Sequence, residues 1–274
     1  MQELQGTDFL YRRWDAEPSP DSAKAVFLLV HGLGGYSARW DFLASDLARR
    51  GFASYAVELR GFGRTPERPR GHVDSFGVWY RDILALRETA LRDLPGRKVF
   101  LLGESMGGLI AYDLAGAHPE AFAGLVLIAP AFKNGMKFPL SAYLKLGLFG
   151  LFAPKMTVDV PFTSDMVTRD ADYLRTMDAS PDEIRVASLR LLGAFLPVQA
   201  RAGRVARRLT VPVLFLVPGD DRLVDERAGR RLFAKIALAD KTLVEYPDML
   251  HALSIDLGRE KIFADVAAWA GPRA

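Results

Sequence analysis

The chain has 274 residues, half of them hydrophobic and a quarter charged, with 36 Lys and Arg against 33 Asp and Glu for a formal net charge of +3. That size and balance suit one large α/β domain, or one domain with an insertion. The absence of cysteine excludes a disulfide framework, a thiolate metal site and a cysteine nucleophile. The densest basic runs, RAGRVARR at 201–208 and ERPR at 67–70, have no interleaved aromatic residues on which bases could stack. They read as solvated faces, and no nucleic-acid partner is expected.

In chain order, the N-terminal MQELQGTDFLYRRWDAE lacks the apolar core of a secretory signal. AVFLLV (25–30) reads as a strand leading through a Gly-rich loop to a helix near 38–50. FASYAVEL (52–59) leads to a helix near 74–93. KVFLLG (98–103) leads to a helix near 106–117, and GLVLIAP (124–130) follows. Such near-continuous apolar strands are buried on both faces, as in a parallel sheet covered by helices.

Between 131 and 209 the rhythm is lost. No strand-like run is evident there, helical patterns dominate, and SPDE at 180–183 predicts a helix start, with Ser180 as N-cap, Pro181 in the first turn and Glu183 closing a capping box. The longest apolar stretch, FPLSAYLKLGLFGLFAP (138–154), contains Lys145, two glycines and flanking prolines, and is too broken to span a bilayer. The alternation resumes with VPVLFLV (211–217), a helix near 225–237, TLVEY (242–246) and a final helix near 258–270. The expected fold is α/β with a doubly wound, mostly parallel sheet. Residues 1–130 and 210–274 form its core, 131–209 an inserted helical lid, and ligands bind beyond the C-terminal ends of the strands. A cytoplasmic protein is expected.

The stretch KVFLLGESMGGLIAYDLAG (98–116) carries the chemistry. G-E-S-M-G at 103–107 fits a Gly-x-Ser-x-Gly turn between a strand and a helix. Such a turn holds Ser105 in a strained conformation with its hydroxyl above the sheet, and Gly103 and Gly107 let the two backbones pass closely. The N–H of Met106, at the start of the new helix, can bind an oxyanion. The simpler reading is a serine that caps the helix.

A serine needs a base at neutral pH. With this turn the acid and the histidine follow later in the chain, in that order. Of the four histidines, His31 and His72 precede Ser105, and His118 lies one helix after it; His251, in the loop after TLVEY, is the candidate base. PGDDRLVD, after VPVLFLV, offers Asp221 as the acid, with Asp220 as the alternative and Asp225 as the cap of the next helix. In VHGLGGYSARW (30–40) the Gly-rich turn offers a second oxyanion donor, the N–H of Leu33. The plain alternative is a tight turn packed over His31. No metal-ligand spacing occurs among the histidines, and no metal or organic cofactor is expected.

These residues resemble the α/β-hydrolase family, and within it the monoacylglycerol lipase and lysophospholipase group. ELRGFGRTPERPRGHVDSF (58–76), TRDADYLRTMDA (168–179), DDRLVD and YPDMLHAL carry the closer likeness, which spans nearly the whole chain. Glu104 stands where such chains often have His before the nucleophile. Phe62 replaces another frequent His, and Pro218 replaces a Gly before the acid.

The resemblance implies hydrolysis of a small-molecule carboxylic ester of glycerol or a similar alcohol. The stretch KFPLSAYLKLGLFGLF (137–152) separately points to an apolar acyl group, a greasy tunnel or contact with a membrane surface; its plain reading is packing of the lid onto the core. A serine peptidase, or a serine enzyme cleaving C–C bonds, could use the same residues. A peptidase would want lid acids such as Asp165, Asp170, Asp172 and Glu183 to hold an amine. A ligand-binding module with an idle site is the reading from outside enzymology.

Overall fold

A computed structural model describes residues 3–6, 8–136, 140–150 and 152–274. The strands are β1 (Leu10–Trp14), β2 (Val26–Val30), β3 (Ala53–Glu58), β4 (Val99–Glu104), β5 (Gly124–Ile128), β6 (Thr157–Asp159), β7 (Val186–Ser188), β8 (Val213–Pro218) and β9 (Lys241–Tyr246). Seven form one sheet in the order β1-β3-β2-β4-β5-β8-β9. Every neighbouring pair in it is parallel except β1 with β3.

The central strands are runs of Val, Leu, Ile and Phe with no exposed residue. Their alternating side chains feed two separate cores, as a two-residue repeat requires. Val26, Leu28 and Val30, with Val99 and Leu101, pack under α2 (Phe76–Asp93), α3 (Met106–Ala117), α6 (Leu189–Ala206) and α7 (Glu226–Lys235). Phe27 and Leu29, with Phe100 and Leu102, pack under α1 (Asp41–Arg49) and α8 (Arg259–Ala270). The register pairs Val30 with Gly103, Glu104 with Ile128, and Pro218 with Tyr246. The loops that leave the C-terminal strand ends therefore gather at one edge, where an open parallel sheet binds its ligands.

Two elements precede or interrupt the expected pattern. β1, whose alternation LYRRW gives no continuous apolar run, adds an antiparallel edge. Within 131–209, besides α4 (Leu140–Phe149) and α5 (Ala171–Ala179), β6 and β7 pair as a small antiparallel ladder. The sequence shows no strand there because three-residue strands are too short to display a period.

SPDE does not start a helix. Ser180 ends α5, and residues 181–185 are a turn leading into β7. The capping carboxylate is taken elsewhere: Glu183 receives Arg39 Nε at 2.8 Å and Nη2 at 2.5 Å, and Asp182 receives Arg64 Nε at 2.9 Å. A buried guanidinium outcompetes a helix cap. Of the apolar stretch 137–152, Lys137, Phe138, Pro139 and Leu151 lie outside the described residues. Among the described residues no helix is long and apolar enough to cross a membrane.

The closest backbone approach is at the start of α3. A Cβ on Gly103 would lie 2.2 Å from the carbonyl oxygen of Gly107, and one on Gly107 would lie 2.0 Å from that of Val30. Both atoms belong to regular elements and cannot give way. Gly107→Ala is expected to destabilise the fold by about 3 kcal/mol, the upper end of ordinary overpacking. Gly203→Ala, on α6 with nothing within 4 Å of the new methyl, is expected to be neutral or to stabilise by up to about 1 kcal/mol. Urea midpoints of the two variants check this; equal effects would refute the close-approach argument.

Candidate active site

Ser105 joins β4 to α3 with φ 58° and ψ −118°, a conformation costly for any residue with a Cβ. The hydrogen bonds around it lock that shape. Ser105 N–H donates to the Ile128 carbonyl at 2.9 Å, and the Ser105 carbonyl accepts from Leu109 at 3.1 Å and Ala131 at 2.9 Å. Its side chain makes no hydrogen bond to cap α3, so the hydroxyl is not spent as a cap. The Gly-rich loop after β2 passes directly beside it: a Cβ on Gly32 would lie 3.1 Å from Ser105 Cβ and 3.7 Å from Oγ. Leu33 and Met106, the expected oxyanion donors, both line the same cavity as Ser105.

His251, buried in the loop after β9, also lines that cavity. Its Nδ1 lies 2.8 Å from Asp221 Oδ2. The other oxygen of Asp221 accepts the N–H groups of Leu223 at 2.8 Å and Val224 at 3.0 Å. Burial works against the Asp221 charge, but His251 and these donors outweigh it and hold the carboxyl below its usual range. For His251, burial alone would weaken the base. Attraction and a hydrogen bond from Asp221, with the charge of Glu104, overcome both burial and the repulsion of Arg39, so its pKa is raised.

Asp220 points away and pairs with Arg222 at 2.8 Å on the surface. Asp225 caps α7, accepting Ala228 N–H at 3.1 Å. The two aspartates that compete with Asp221 on sequence grounds are therefore engaged elsewhere.

The other histidines stand apart from the cavity. His31 is buried under the Gly-rich turn, with Nδ1 2.9 Å from the Gly32 carbonyl, and Nε2 accepts the Leu59 N–H at 3.1 Å. Burial drives its pKa down to about 4, so it is a neutral packing residue. His72 meets Ser188 Oγ at 2.9 Å, and His118 lies at the exposed end of α3.

The cavity has a volume of about 260 Å³. Its lining includes the charged Arg39 and Glu104, with Phe162 and with Leu192, Phe195 and Leu196 of α6 as apolar walls. Among the described residues the apolar lining comes from α6, Phe162, Val167, Met136 and the Leu223–Val224 turn. α4 instead leaves Leu140, Leu144 and Leu148 exposed, one turn apart along one face.

Three of the four acids that might hold a substrate amine are committed, and the fourth, Asp165, lies exposed in the turn Ser164–Met166. Glu183 is bound by Arg39, Asp170 caps α5 and pairs with Arg259 at 2.6 Å, and Asp172 pairs with Arg175. Arg39 and Gln199 were not apparent as cavity residues in the sequence; a long polar side chain beside a Gly-rich loop and one on a helix give no local signal of where they point.

The family model described as "Serine aminopeptidase, S33" (Hydrolase_4) matches residues 21–258. A monoglyceride lipase from Homo sapiens is 31% identical over 96% of this chain and 86% of its own length. Phospholipase YtpA from Bacillus subtilis is 30% identical over 91% of this chain and 96% of its own. Among solved structures, a monoacylglycerol lipase from Paleococcus ferrophilus superposes with a TM-score of 0.87 at 26% identity, covering 98% of this chain and 100% of that one. The chain belongs to this Hydrolase_4 family of α/β-hydrolases, alongside the monoglyceride lipases.

Proposed function

We propose that the protein is a lipid ester hydrolase that acts on monoacylglycerols or similar acyl esters through Ser105, His251 and Asp221. The observation that carries this reading is the Asp221–His251 pair at 2.8 Å on the wall of a cavity that also contains the strained, uncapped Ser105.

In the first step His251 Nε2 takes the Ser105 hydroxyl proton as Oγ attacks the ester carbonyl. Asp221, holding Nδ1–H, fixes the tautomer and stabilises the imidazolium. The N–H groups of Met106 and Leu33 receive the oxyanion. His251 then protonates the departing alcohol, and water resolves the acyl-enzyme with the same roles reversed. The acyl chain lies along the α6 wall, and the alcohol faces Arg39 and Glu104. Residues 131–209 act as a cap over the sheet's C-terminal edge. The exposed leucines of α4 rest on a lipid surface during substrate uptake. With Glu183, Asp170 and Asp172 committed to arginines and Asp165 outside the cavity lining, an amine-binding peptidase is the weaker reading.

Ser105→Ala is expected to lower kcat on a monoacylglycerol by ~10⁵-fold or more. Asp221→Asn is expected to lower it by ~10⁴-fold through the wrong tautomer, and Asp220→Asn by less than about twofold, as for a surface pair. Steady-state kinetics with all three variants checks the assignment; a large loss in Asp220→Asn with a small one in Asp221→Asn would reverse the choice of acid. For substrate class, a series of p-nitrophenyl esters is expected to show kcat/KM rising from acetate to octanoate. Activity on acetate with none on octanoate or longer chains would end the lipid reading.

A further inference from the structure

Glu104, the residue before Ser105, is 5% exposed at the end of β4. It shares the cavity wall with Ser105, Arg39 and His251. Burying a carboxylate is costly unless donors satisfy it. Both oxygens here are bound by one residue of the histidine loop: Ser254 N–H donates to Oε1 at 3.1 Å, and Ser254 Oγ to Oε2 at 2.9 Å. Ser254 is itself buried and lies three residues beyond His251. The strand that carries the nucleophile therefore grips the loop that carries the base, through a contact separate from Asp221.

We propose that Glu104 is a positioning residue for His251, anchoring the histidine loop through Ser254 and adding to the attraction of Asp221 for the imidazolium. This rests on the role assigned above to His251. The charges around the ring support it. His251 faces Asp221 from the loop after β8, Glu104 from β4 and Arg39 from the turn before α1. Arg39 is the one opposing charge in that set. It is held by both oxygens of Glu183 in the cap, with Tyr173 also facing it, and Tyr36 lies beside Tyr173 and Arg64. The attractions of Asp221 and Glu104 prevail over burial and Arg39, and the His251 pKa is raised. On Glu104 itself burial outweighs the pull of Ser254, His251 and Arg39 and raises the carboxyl above its usual range, so its charge leans on these partners.

Glu104→Gln tests this because glutamine keeps the shape and can bond to Ser254 while losing the charge. The imidazole must be neutral to act as a base, so kcat/KM rises with pH through the His251 pKa. Removing a nearby negative charge lowers that pKa. The acidic limb of the Glu104→Gln profile is expected to move to lower pH by up to about one unit, with kcat about tenfold lower. Ser254→Ala, which leaves the carboxylate short of a donor, is expected to shift the limb in the same direction by less. If Glu104→Gln does not fold, Ser254→Ala carries the test. A lowered melting temperature with an unmoved acidic limb would leave Glu104 a merely structural residue and overturn the proposal, as would wild-type profiles in both variants. Either result with Ser105→Ala still inactive would refute the role of Glu104 alone; an active Ser105→Ala would refute the reading beneath it.

Discussion

How closely α3 can pass over β4 and β2 sets everything at the site. Gly103 and Gly107 bring the three backbones to within about the thickness of a methyl group, and that approach forces the chain to turn in a single residue. Ser105 absorbs the strain at φ 58°. The cost, of order 1–3 kcal/mol for such a conformation, is met by the packed α3, in which every residue from Met106 to Ala115 is buried. The same turn directs the first free N–H groups of the helix at the hydroxyl's surroundings, where a developing negative charge is favoured. The strain at Ser105 and the placement of its hydroxyl beside the start of α3 are consequences of one packing decision.

The histidine loop is fixed from two further sides. Asp256, fully buried, accepts Leu250 N–H at 2.8 Å from within the loop, and Thr168 Oγ1 at 3.0 Å and Arg169 N–H at 2.6 Å from the inserted segment. Glu104 holds the loop to the sheet through Ser254. Arg39 with Glu183, and Arg259 with Asp170, tie the insertion to the core by ion pairs whose partners come from distant parts of the chain. Buried or half-buried pairs of this kind add little net stability, because desolvation offsets attraction, but they penalise any other register. The 163–185 segment is thus held in place around His251, whereas α4 leaves Leu140, Leu144 and Leu148 exposed.

Much of this was legible in the residues. The five apolar runs that became β2, β3, β4, β5 and β8 are buried on both faces, which a parallel sheet demands and a continuous hydrophobic run announces. GESMG between a strand and a helix carried the site because its glycines answer to steric contacts that the structure contains. What stayed hidden depends on partners far along the chain. β1 is half polar and pairs with β3 only because β3 offers an open edge. SPDE has every local mark of a helix start, yet Arg39 and Arg64, more than a hundred residues earlier, claim its carboxylates. Arg39 itself looked like an ordinary residue at the start of a helix. Which of Asp220 and Asp221 meets His251 is likewise a tertiary matter: Asp221 does, while Asp220 pairs with Arg222 on the surface.

The most direct measurement is covalent labelling with a fluorophosphonate, followed by intact mass and peptide mapping of the wild-type protein. The expected result is one adduct, on the peptide containing Ser105, forming more slowly as pH falls and His251 takes up a proton. An active enzyme that resists the reagent, or one that is labelled and silenced at another residue, would contradict the account.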